Sequence, residues 1–152
     1  MSVLNYTTQI AAAKTIGEVQ TLLAKHGANR IAIDYDDGRA VGVTFAIVTA
    51  HGPRLFTLPV DVDAMQRLLI AESKAGRLKG KSITVIRSRE QAERVAWRVI
   101  KDWLAAQLAL VQTEMASLDQ VMLPYVHTDS SGRTLYAAYR DNENILALEA
   151  RS

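Results

Sequence analysis

The chain has 152 residues, enough for one domain with a single sizeable core, and its 49% hydrophobic and 22% charged residues exclude a disordered chain. No apolar run is long enough to span a bilayer, and the opening "MSVLNYTTQIAAAKT" lacks a basic leader and a long apolar block, so neither a membrane anchor nor a secretory signal is expected. The absence of cysteine excludes disulfides, thiolate metal sites and cysteine nucleophiles, and the formal net charge of +2 sets no extreme of either sign.

The first element predicted is a helix over 15–27. "TIGE" reads as a capping box with Thr15 at the N-cap and Glu18 three positions on, Ile16, Val19, Leu22 and Leu23 share a face, and Gly27 is placed to end it. The period then changes. Ile31, Ile33 and Tyr35 alternate with Ala32 and Asp34, Asp37-Gly38 is a hairpin signal, and Val41, Val43, Phe45 and Ile47 alternate in turn. After "AHGP" a third strand runs over 55–60, and the short connections impose antiparallel order. Asp61 caps a helix over 62–73 with Met65, Leu68 and Leu69 inward. "KAGRLKGKS" is a loop, and "ITVI" (83–86) reads as a short strand.

From Ser88 to Met115 no proline or glycine interrupts a helical pattern, and Ser88 with Gln91 repeats the capping box. Val95, Val99, Trp103, Ala106 and Leu110 lie on one side; Trp97, Ile100, Leu104, Leu108, Val111 and Met115 widen the apolar arc well beyond one stripe. Such a helix is the spine of the core. A three-stranded sheet covers one side, so the C-terminal segment or a second subunit is expected to cover the rest, and because the arc exceeds what one meander covers a homo-oligomer is expected. The tail supplies a short capped turn, a break at Pro124, a polar loop over 128–132 and a helix over 134–140, with Leu123, Tyr125, Leu135, Tyr136 and Tyr139 available as cover. The fold expected is therefore α+β over a single domain, 1–152: a three-stranded antiparallel meander on a long central helix, with short flanking helices.

No catalytic arrangement emerges. "AGRLKGKS" (75–82) fits a loose phosphate-binding loop, but such a loop needs a strand before it and a helix directly after it, and here the order is helix, then a strand-like segment. "DYDDG" (34–38) has the wrong acid spacing for a calcium loop and no terminal glutamate. His26, His51 and His127 fall in separate segments, so no metal site is expected. Trp97 and Trp103 lie at helical spacing on an apolar face and read as core rather than as base-stacking platforms. The chain is read as no enzyme, with no cofactor.

Charge carries the functional expectation. Residues 1–73 balance at −1 and 102–152 at −4, whereas 74–101 hold nine basic residues against Glu90 and Glu93, a balance of +7. Lys79 and Lys81 on a flexible arm, Arg87 and Arg89 at the helix start, and Arg94, Arg98 and Lys101 at i, i+4, i+7 suit phosphates along a nucleic-acid backbone, with a helix N-terminus adding donors. None is placed to read bases, so binding would be sequence-independent. Reversing Arg94 and Arg98 is expected to spare the fold. The alternative is an oligomeric protein-interaction module, a structural part or an inhibitor of a host protein, without nucleic acid.

"REQAERVAWRVIKDWLAAQLALV", with "NYTTQIAAAKTIGEVQTLLAKHGA" upstream and "LPY…GRTLY" downstream, resembles a family of small bacteriophage and prophage proteins. The resemblance spans most of the chain and implies a mobile-element origin and action in the host cytoplasm, as an accessory of phage DNA metabolism in the nucleic-acid reading. It implies no activity and no site residue. At fold level, helix, meander, helix is similar to double-stranded RNA-binding domains, and "RSREQAERVAWRVIKDWL" to their basic second helix. A meander followed by a long helix also resembles the core of phage single-strand annealing proteins.

Overall fold

The computed structural model describes residues 3–80 and 82–142. Helix α1 spans Ala12–Lys25 and leads into strands β1 (Arg30–Asp36), β2 (Arg39–Thr49) and β3 (Gly52–Pro59); helices α2 (Val62–Lys74), α3 (Ile83–Ile86), α4 (Arg89–Gln112), α5 (Leu118–Met122) and α6 (Leu135–Asp141) follow, with a 3₁₀ turn at Leu123–Tyr125. The sheet is antiparallel in the order β1-β2-β3. The expected α+β architecture is the observed one.

The meander follows from its turn chemistry and alternation. Asp37 and Gly38 both take positive φ (50° and 74°), as a two-residue hairpin that follows strand twist requires. Val43, Phe45 and Ile47 on β2 and Phe56 and Leu58 on β3 are buried together; Phe45 sits opposite Phe56, and their rings stack at 5.4 Å. One residue of slack, at Val41, separates the pairs Asp34–Gly42 and Tyr35–Ala40, which is a bulge. Gly42 is forced: a Cβ there would stand 2.9 Å from the Leu58 carbonyl oxygen.

Beneath the sheet, α1 and α2 each pack along α4. Val95, Trp97, Leu104 and Leu108 of α4 are fully buried, and the Trp97 indole Nε1–H donates to the Ala40 carbonyl of β2 at 3.2 Å. The tail closes another side: Tyr125 meets Trp103 edge-on at 5.7 Å, and Met122 is buried. The single chain thus encloses most of the spine, and of its large apolar side chains only Leu110 stands exposed, with Met115 exposed beyond its end. The apolar arc therefore does not call for a second subunit. Of the other tail residues expected to act as cover, Leu123, Tyr136 and Tyr139 are about half exposed.

Four local expectations are corrected. Leu68 of α2, expected inward beside Met65 and Leu69, is exposed. Helix α1 begins at Ala12, not after a Thr15 cap: the Ala-rich approach is strongly helix-forming, and the Ala11 carbonyl accepts from the Lys14 and Thr15 amides. Thr15 is a fully buried helix residue. "ITVI" is one turn of helix, not a strand. Its β-branched residues favour extended backbone, but the Ser82 hydroxyl accepts from the Val85 amide and closes the turn, which places Ile86 in the core. The spine ends at Gln112 rather than Met115. Glu114 adopts φ 62°, and the Met115 amide turns back to the Leu110 carbonyl, so a non-glycine residue makes the left-handed stop.

Candidate nucleic-acid interface

Ser88 caps α4 as expected, its hydroxyl accepting from the Gln91 amide at 3.1 Å. The reciprocal half of the capping box is absent. The Gln91 side chain is fully buried, and its Nε2 donates to the carbonyls of Tyr6 and Thr8, both at 2.9 Å. Gln91 fastens the segment before α1 to the spine.

Five of the seven basic residues expected to bind phosphates have polar partners within the fold. Arg98 is bound to Glu18 and to the Thr15 hydroxyl of α1, and its side chain is only 15% exposed. Arg94 donates to Glu90 at 2.6 Å and to Gln91 Oε1 at 3.2 Å. Arg89 pairs with Asp63 at the start of α2, and its Nε is buried without an acceptor among the described residues. Arg87 donates through Nε to the Ser73 hydroxyl at 3.1 Å. Lys101 lies 3.9 Å from Asp102. Lys79 is met at its backbone: its carbonyl accepts from the Tyr6 hydroxyl at 2.7 Å. Lys81 lies outside the described residues. The i, i+4, i+7 trio does not form a free face, because α1 packs against it and brings Glu18. Reversing Arg98 would place a carboxylate beside Glu18 in that seam, so the reversal is expected to destabilise the fold.

The start of α4 also opens on the wrong sign. The cleft beside Arg89 is lined by Asp36, Asp37, Asp61 and Asp63, against Arg39 and Arg89. Arg39 in turn lies 3.6 Å from Glu93. A phosphate there would meet more negative than positive charge. A second shallow groove, between α1 and α4, carries Lys14, Lys25 and Lys101 around the paired Glu18.

One polar arrangement escaped sequence reasoning altogether. Asp34 Oδ2 accepts from the Thr44 hydroxyl (2.9 Å), Thr44 and Thr57 share a bond of 2.8 Å, and Thr57 bonds His127 Nε2 at 2.7 Å. With Asp34 a carboxylate, Thr44 spends its proton there. Thr57 then donates to Thr44, and His127 must carry a proton on Nε2. The chain crosses the sheet face opposite the helices and pins the tail, whose His127 amide also donates to the Leu55 carbonyl of β3 at 2.8 Å. Alternation places Thr44 and Thr57 on that face, but no local signal brings His127 there. Farther along, the Ser131 hydroxyl and amide bond Asp129 and hold its carboxyl below the usual range. Arg140 does the same for Asp141. Both are surface contacts of the tail.

Among the described residues no cluster of three or more His, Asp and Glu could hold a metal ion, and no helix is long and apolar enough to cross a membrane. No family model, curated protein or solved structure matches this chain.

Proposed function

We propose that the protein acts by binding another protein, as an oligomeric interaction module, and performs no catalytic step. One observation carries this reading. Four of the nine basic residues that distinguish 74–101 in sequence, the four arginines at and along the start of α4, are held within the fold: Arg98 to α1, Arg89 to α2, Arg87 to the end of α2 and Arg94 to the first turn of its own helix. A free cation that neutralises a phosphate releases counterions condensed on the nucleic acid, whereas a guanidinium already paired with a carboxylate must first give up that partner. The partner in this reading is a second copy of the chain or a host protein.

The competing reading, sequence-independent nucleic-acid binding, keeps one foothold in the groove of Lys14, Lys25 and Lys101. A mobility-shift titration separates the two. The interaction reading expects no retardation of short single-stranded or duplex DNA or RNA at ~150 mM salt. Retardation that weakens linearly with log salt and disappears in Lys14→Glu/Lys25→Glu would establish nucleic-acid binding and overturn the proposal.

A further inference from the structure

The two edges of the sheet are treated differently. Strand β3 carries Pro53 and Pro59, which cannot extend a ladder, and its outer side is met by the tail through the Phe56–Val126 bridge and the His127 amide bond to Leu55. Strand β1, "RIAIDYD", has no such protection. Among the described residues nothing but β2 pairs along it. It has no proline, no lysine and no charge at its centre, and Asp34 leans back onto Thr44 of β2. Tyr35 stands 65% exposed beside it. An open seven-residue edge of this kind is a template for another strand.

The sequence of β1 specifies which strand. An antiparallel copy centred on Ile33 places Ile33 opposite its own equivalent, Ile31 opposite Tyr35, Ala32 opposite Asp34 and Arg30 opposite Asp36. Partners in each pair share a face because their numbers have the same parity. Arg30 and Asp36 are both exposed and make no ion pair among the described residues. The two-fold operation gives the Arg30–Asp36 pair twice, and each cross-strand partner lies within reach of the other. A copy shifted by two residues loses both pairs.

Resting on the interaction reading above, we infer that the β1 edge is a homodimer interface. It joins two meanders into a continuous six-stranded antiparallel sheet, with Arg30 of each copy on Asp36 of the other. The exposed Tyr35 ring is then covered by Ile31 of the second copy. The interface is self-complementary, so it closes at two copies.

Sedimentation velocity of the full chain over a concentration series is the test, with circular dichroism to verify folding. The wild type is expected to dimerise. Arg30→Asp and Asp36→Arg each bring like charges together twice and are expected to weaken the dimer roughly ten- to a hundred-fold; the double variant Arg30→Asp/Asp36→Arg restores the pairing and the affinity. Amide exchange in β1 of the wild type should slow as concentration rises, a readout that needs no variant. A chain monomeric at every concentration, with exchange in β1 independent of concentration, overturns the interface and leaves binding to a host protein to be judged by pull-down. A dimer indifferent to both single reversals, with β1 unprotected, also overturns it, while the interaction reading then stands on another surface.

Discussion

Gln91→Leu offers the sharpest test of how the spine is held. As a capping-box residue, Gln91 would contribute at most about 1 kcal/mol, and leucine at an exposed first turn would cost little. The structure puts it elsewhere: the side chain is fully buried, donates to the Tyr6 and Thr8 carbonyls, and accepts from Arg94. Leucine has a similar volume, so the cavity cost is small. What is lost is two hydrogen bonds to carbonyls, each worth roughly 0.5–1.5 kcal/mol, plus the cost of any carbonyl left buried without a donor, roughly 1–3 kcal/mol. Because the segment over 6–8 can lift and let water reach the carbonyls, the sum is held to about 2–4 kcal/mol. That corresponds to a fall in Tm of roughly 5–15 °C for a chain of this size. Urea denaturation monitored by circular dichroism and tryptophan fluorescence measures it, with a midpoint about 1–2 M lower at unchanged slope. Amides before α1 should lose exchange protection first, since Gln91 is the bolt that holds them. A stability change below ~0.5 kcal/mol, within the range of ordinary surface substitutions, would refute the clamp and reinstate the cap.

Arg98→Glu is expected to destabilise by about 2–3 kcal/mol, somewhat below the range for breaking a fully buried pair, because Glu18 keeps some solvent; thermal melts should show Glu18→Arg in the same chain recovering most of the loss. Gly42→Ala places a methyl 2.9 Å from a backbone carbonyl that cannot swing aside, so β2 and β3 must separate locally, at a cost of roughly 1–3 kcal/mol by chemical denaturation. An unchanged midpoint for that variant would mean that the two strands lie farther apart than described.

Where adjacent residues decide the outcome, the sequence is a sufficient guide. The meander, its hairpin at Asp37-Gly38 and the Asp61 and Ser88 caps follow from period-two alternation, a left-handed turn pair and cap chemistry; on the spine, helical spacing finds Val95, Trp97, Leu104 and Leu108 but also assigns Ala106 and Leu110 to the apolar side, and both are exposed. Local signals misled where two elements compete for one residue. Thr15 and Gln91 have the chemistry of caps, and each is taken by a partner more than 80 positions away. Tertiary structure alone determined the fate of the charge. Sequence shows nine basic residues crowded into 74–101, but the carboxylates that meet Arg98 and Arg89 lie on other elements, Glu18 on α1 and Asp63 on α2. Only packing brings those elements to α4, and screening by a paired carboxylate acts over a few ångströms of space, not along the chain. The same holds for His127, which bonds Thr57, and through Thr57 and Thr44 is linked to Asp34, because the tail lies along β3.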